Sequence, residues 1–171
     1  MAKNTPTVSC TIDGTCRISY SYTSTLYAYT GTISESSSDF IDYGPKYTLT
    51  WGGYNDGYRK YYHLYTGTYS FSYGKWTLPS GAPYATYRWS AWIPQNGGQL
   101  DGHVRYHVYG SSGYEVTAVV DQEWYYDEWI YIGEGYGNEQ TASLYLPNSC
   151  VSSSWCYDFY EIWWDEAQYV R

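Results

Sequence analysis

The sequence predicts an all-β protein, a sandwich or barrel of about ten short strands. Three observations lead there. Apolar and polar residues alternate with a period of two along most of the chain, and no long stretch spaces its apolar residues as a helix would. The alternating runs are built from residues that suit a pleated surface: 26 Tyr and 9 Trp, with Val, Ile and Thr between them. Each run is bounded by Gly, Ser, Asn, Asp or Pro.

The runs follow one another in order. R-I-S-Y-S-Y (17–22) and L-Y-A-Y-T-G-T-I-S (26–34) come first. S-E-S-S-S-D (34–39) then interrupts the pattern and marks a seam, dividing N-terminal strands (1–39) packed on the main body from a main domain (40–171). K-Y-T-L-T-W (46–51) is the next strand, and the glycine-rich G-G-Y-N-D-G-Y-R-K-Y-Y (52–62) reads as a loop carrying several rings. T-G-T-Y-S-F-S-Y-G-K-W-T-L (66–78) and A-T-Y-R-W-S-A-W-I (85–93) follow, then the polar loop P-Q-N-G-G-Q-L-D-G (94–102). H-V-R-Y-H-V-Y (103–109) and E-V-T-A-V-V-D-Q (115–122) are joined by S-S-G-Y, a hairpin turn whose Gly113 is free to take positive φ. E-W-I-Y-I-G (128–133), T-A-S-L-Y-L (141–146) and F-Y-E-I-W-W (159–164) complete the set.

Composition excludes several functions. The net charge of −8, from 17 acidic and 9 basic residues, argues against nucleic acid and anionic membrane surfaces, which call for clustered Lys and Arg. No run of about 18 apolar residues exists, so no membrane insertion is expected. The N-terminus lacks the apolar core of a signal peptide, as a mature secreted end preceded by an added Met would. Tyr and Trp join a broad apolar face to a polar handle, and they are too numerous to share one interior. Some must line wet surfaces or a binding site.

The four cysteines repeat one spacing, C-T-I-D-G-T-C (Cys10, Cys16) and C-V-S-S-S-W-C (Cys150, Cys156). No CxxC is present and no His stands beside them, which argues against zinc. Two local disulfides, Cys10–Cys16 and Cys150–Cys156, are the favoured pairing, each stabilising by about 2 kcal/mol in the chain-entropy model. A cross-pairing that joins the two chain ends stays open. Either pairing places the chain outside the cell.

Several segments in colinear order carry a resemblance: K-W-T-L-P (75–79), G-A-P-Y-A-T-Y-R-W-S-A-W-I-P (81–94), H-V-R-Y-H-V-Y (103–109), V-T-A-V-V-D-Q (116–122), W-I-Y-I-G (129–133) and D-E-A-Q-Y-V (165–170). Together they resemble the golvesin C-terminal-like domain, which also accompanies xanthan lyases and other secreted hydrolases. The likeness covers about residues 40–170. Ile132 stands where the family prefers Leu, Glu166 stands where the closing Asp is expected, and E-W-Y-Y-D-E (123–128) is richer in rings than the family's loop. The resemblance implies an antiparallel, jelly-roll-like β-sandwich, an extracellular accessory role and polysaccharide binding. It also puts Trp76, Trp92 and Trp129 at the family's recurrent strand positions, as core anchors.

The candidate site follows from the remaining rings. Gln122, Glu123, Trp124, Tyr125, Tyr126 and Asp127 set three consecutive rings among polar groups. On an extended backbone those rings point to both sides, so at least one faces solvent or a groove. Sugars stack flat CH faces on rings while polar groups fix hydroxyls, and such a cluster supplies both. Tyr54, with Asn55, Asp56 and Tyr58, forms a second ring-bearing loop, and Trp155 sits inside the second cysteine loop. Along 103–109, His103, Arg105, His107 and Tyr109 share one face, where Arg105 would hold a uronate or pyruvate carboxylate. Carboxylate pairs such as Glu123 with Asp127 or Glu128, and Asp158 with Glu161, are the only hydrolase-like feature. Tyr106, His107 and Arg105 would serve a lyase, but neighbours on a strand face opposite ways. No GxSxG, HExxH or phosphate loop is present, and no metal or cofactor is expected. The reading is a secreted, non-catalytic carbohydrate-binding module. The alternatives are a structural or adhesive surface protein self-associating through a Tyr-rich face, and a polysaccharide-active hydrolase or lyase.

Overall fold

Alternating burial along the strands builds two facing sheets, and the described residues also form a two-stranded and a three-stranded sheet. The computed structural model describes residues 7–10, 16–19, 29–49, 53–54, 58–62, 72–94, 104–125, 127–147 and 161–171; at 7–10, 16–19, 49, 58–62, 115 and 161 only the backbone is considered. Among these residues there are fourteen strands: β1 (Thr7–Cys10), β2 (Cys16–Ser19), β3 (Thr30–Ile33), β4 (Phe40–Tyr43), β5 (Tyr47–Leu49), β6 (Tyr58–Tyr62), β7 (Tyr73–Thr77), β8 (Ala85–Ile93), β9 (Val104–Gly110), β10 (Gly113–Val120), β11 (Glu128–Gly137), β12 (Ser143–Pro147), β13 (Glu161–Trp164) and β14 (Ala167–Val170). All their pairings are antiparallel. No helix of the described residues is long and apolar enough to cross a membrane.

A five-stranded sheet, β10-β9-β12-β7-β4, faces a four-stranded one, β11-β8-β14-β3. The fold is the expected β-sandwich. Its interior is the set of residues that alternation turns inward. Val104, Tyr106, Val108, Leu144, Leu146, Trp76 and Phe40 come from the larger sheet, and Tyr87, Trp89, Ala91, Ile93, Ala167, Tyr169 and Ile33 from the smaller. The expected turn between β9 and β10 forms, with Gly113 at φ 96°. In β7 the backbone at Gly74 comes close to its neighbours, so that a side chain there would need two rings to give by a few tenths of an ångström. A Cβ there would lie 3.0 Å from Trp164 Cγ and 3.1 Å from Phe40 Cε2.

Three expectations are corrected. The segment 52–62 is not all loop, because Tyr58–Tyr62 pairs with both β5 and β13. The run 116–122 leaves the sheet at Val120. Gln122–Trp124 is a turn of 3-10 helix whose N-cap Asp121 accepts the Glu123 N–H at 3.2 Å, so this part of the ring cluster is not extended. Trp92 and Trp129 are not core anchors. In β8 the inward residues are Tyr87, Trp89, Ala91 and Ile93, which leaves Trp92 on the outer face and only half-buried. Trp129 is its register partner on β11 and lies beside it. Trp76 does sit in the core, 1% exposed, with its indole N–H donated to the Asp165 carbonyl at 2.9 Å.

Candidate functional site

The outward positions of the five-stranded sheet carry a row of tyrosines, one from each strand. Alternation places Tyr43 on β4, Tyr73 on β7, Tyr145 on β12, Tyr109 on β9 and Tyr114 on β10 opposite the core face. The strand order brings them together. Ring centroids are 5.7 Å apart for Tyr43–Tyr73, 5.1 Å for Tyr73–Tyr145, 6.0 Å for Tyr145–Tyr109 and 6.0 Å for Tyr109–Tyr114. His107 joins the row, 6.0 Å from Tyr145 and 5.6 Å from Tyr114. Four strand spacings make such a row about 19 Å long. Beside it opens a cleft of about 600 Å³, whose walls include Tyr73, Lys75, Tyr109, Ser143 and Tyr145.

The charge of the described side chains on this face is opposite to that of the whole chain. Among the described side chains, the outward positions of these five strands hold Lys75, Arg105 and His107 and no carboxylate. Burial and then the neighbouring Arg105 push the His107 pKa down, which favours the neutral ring, and His107 Nδ1 and Thr117 Oγ1 share a hydrogen bond at 3.2 Å. Burial, with Tyr109 and Tyr73 close by, raises Tyr145 to about 12. The row offers phenol hydroxyls as donors and acceptors, with rings for apolar contact and Lys75 and Arg105 for anion contact.

The four-stranded sheet carries a smaller aromatic group on its own outer face. Tyr54 packs on both Trp92 and Trp129, at 4.8 and 5.3 Å, and these two lie 5.4 Å apart. Tyr131 continues the face, with Arg88 5.1 Å above its ring and 3.4 Å from Glu134. The Tyr54 backbone N–H is donated to Asp165 Oδ2 at 3.1 Å. Asp165 belongs to a buried group of three carboxylates with Glu35 and Glu166. Burial first, and then the charge of Glu35, pushes Asp165 up to about 9.

The structure scatters the residues singled out from the sequence. Arg105 is on the tyrosine face. Tyr54, in a bend outside the strands, packs on the outer face of the opposite sheet and is 45% exposed. Trp124 stands 76% exposed on the turn after β10, with Glu123 and Asp127 also exposed, while Tyr125 leans on the core. Gln122 is wholly buried. Tyr126, Trp155, Cys150, Cys156, His103, Asn55, Asp56 and Asp158 lie outside the described residues, as does the side chain of Tyr58. Cys10 and Cys16 are register partners across the β1–β2 hairpin. Tyr43, Tyr73, Tyr114, Tyr145 and the three carboxylates were missed. Alternation within 73–77 and 143–147 marks Tyr73 and Tyr145 as outward, but only the strand order makes them neighbours.

No family model matches the sequence, and none of the curated proteins matches it. Among solved structures, the chain is similar to a Paenibacillus xanthan lyase, with a TM-score of 0.63 and 15% identity. The likeness covers 83% of this chain and 13% of the lyase, so the chain spans a small part of that protein's length.

Proposed function

We propose that the protein is a non-catalytic module that binds a polysaccharide along the tyrosine row, with Arg105 and Lys75 favouring chains that bear carboxylates. The observation that carries this reading is the unbroken row of five tyrosines beside an open polar cleft, on a face whose described charges are cationic. Sugar faces would stack on the rings, and phenol, Ser143 and Lys75 groups would fix hydroxyls. No bond is made or broken. The structural likeness to part of a xanthan lyase supports a polysaccharide-related role, and the colinear motifs support kinship with the golvesin C-terminal-like domain. Exposed Trp124 would make a further contact with a long chain, whereas Tyr54, packed on the outer face of the other sheet, lies off this surface.

Affinity electrophoresis in gels containing xanthan, a second acidic polysaccharide or a neutral glucan tests this. Retardation is expected with the acidic polymers. Tyr145→Ala should weaken it about tenfold, since a lost ring contact of about 0.5–1.5 kcal/mol is joined by lost hydrogen bonds. Arg105→Ala should weaken only acidic binding, and Trp124→Ala probes the turn. Equal retardation of folded Tyr145→Ala and wild type would move the site off the row. No retardation on any polymer, with concentration-dependent sedimentation, would favour self-association through the exposed Tyr43 and Tyr114 instead.

A secreted module of this kind would hold disulfides Cys10–Cys16 and Cys150–Cys156, and the hairpin register of the first pair supports that pairing. Protein folded under oxidising conditions and alkylated without reductant should gain no label by intact mass. Four labels would refute the pairing.

A further inference from the structure

The buried carboxylates come together through strand register. β14 pairs with β3 so that Ala167 lies opposite Ile33. Continuing that register by two residues, past the end of both strands, sets Asp165 opposite Glu35, with Glu166 beside them. Their exposures are only 2%, 6% and 1%. Each offers an oxygen within 4.8 Å of the other two. Three carboxylates packed this closely and this deeply repel one another and have lost much of their water, so their charge has to be offset by protons, by neighbouring groups or by a cation.

A second observation concerns Asp165 alone. Its Oδ2 accepts the Tyr54 N–H, but its Oδ1 is buried with no hydrogen-bond partner. A native interior rarely leaves a carboxylate oxygen so, and an absent ion is one of the recognised reasons.

We propose that Glu35, Asp165 and Glu166 bind one calcium ion. Carboxylate oxygens are hard ligands, which select Ca²⁺, Mg²⁺ or Mn²⁺ over zinc or copper. Oxygens held at about 2.4 Å from one ion lie at most about 4.8 Å from each other, which the cluster satisfies. Three carboxylates binding through both oxygens reach the lower end of calcium's usual six to eight ligands. Mg²⁺ keeps several waters and so fits a dry site less well. The ion would lock the link between β13 and β14 to the turn after β3. Through the Tyr54 N–H and the Glu166 carbonyl, which accepts the Trp92 N–H at 2.9 Å, it would also brace the outer aromatic group.

The test is calcium binding to the whole chain after EDTA treatment and chelator removal. Calorimetry should give one site, and saturating Ca²⁺ should raise the midpoint of thermal unfolding by about 5–10 °C, with a smaller effect of Mg²⁺. Tb³⁺ should luminesce on excitation of tryptophan, because the Trp76 indole is bonded to Asp165. Asp165→Asn should abolish all three signals. Glu35→Gln should weaken binding at least about tenfold and serves if the first variant fails to fold. Absence of a calcium heat and of a thermal shift in the wild type would overturn the proposal, leaving a cluster neutralised by protons. So would unchanged binding in folded Asp165→Asn or Glu35→Gln.

Discussion

Trp89→Ala is expected to lower the unfolding free energy by about 3–5 kcal/mol in urea denaturation, the usual range for truncating a buried Trp. Trp124→Ala should change it by less than about 0.5 kcal/mol. Trp89 is 0% exposed and meets Tyr169, at 6.0 Å between centroids, inside the sandwich. The cavity left behind lies in the shared core, where the paired strands on either side of β8 resist collapse. One feature pulls the other way. The Trp89 indole N–H is buried without a partner, a loss that truncation removes and that is worth about 1–3 kcal/mol. The effect should therefore fall in the lower half of the range, and Trp89→Phe, which keeps a ring and drops the N–H, should cost much less than Ala. Trp92→Ala should fall between Trp89→Ala and Trp124→Ala, since Trp92 is half-buried under Tyr54. A larger loss for Trp92→Ala than for Trp89→Ala would reverse the assignment of faces.

The two tryptophans show what was legible in the sequence. They lie three apart in A-T-Y-R-W-S-A-W-I, so period two must put them on opposite faces. Trp89 shares its face with Tyr87, Ala91 and Ile93, an apolar set, and Trp92 shares its face with Arg88 and Ser90. Alternation alone points to Trp89 as the anchor; the family resemblance pointed to Trp92. The same rule correctly sorted Val104, Tyr106 and Val108 from Arg105, His107 and Tyr109. Strand order is another matter. Residues 143–147 insert between 104–110 and 73–77, and nothing local in 143–147 announces either neighbour. The tyrosine row exists only through that insertion. The carboxylate group likewise needs a register between strands 130 residues apart in the chain.

Gln122→Ala is expected to destabilise the protein by about 3–5 kcal/mol, because it strips partners from several buried polar groups at about 1–3 kcal/mol each. From the sequence Gln122 looked like one polar group of a wet loop. In the structure it is 0% exposed and acts as a piece of strand backbone. Its Oε1 accepts the Trp163 N–H at 3.1 Å while its Nε2 donates to the Trp163 carbonyl at 3.1 Å and to the Tyr106 hydroxyl at 2.9 Å. β13 pairs with β6, at Trp163 opposite Lys60, and the Gln122 amide supplies further partners to the same residue. The amide orientation is fixed by this fork, since a flipped amide would set donor against donor. Burial raises the Tyr106 pKa above its ordinary value, and its neutral phenol has this same amide as a partner. Gln122→Met separates the two sources of loss. It restores most of the volume but none of the hydrogen bonds, so it should remain nearly as costly as Ala if the fork is what matters. A Met variant close to wild type would show that packing at the end of β10, rather than the amide, secures β13. An Ala variant within about 0.5 kcal/mol of wild type would show that water replaces the fork at no cost.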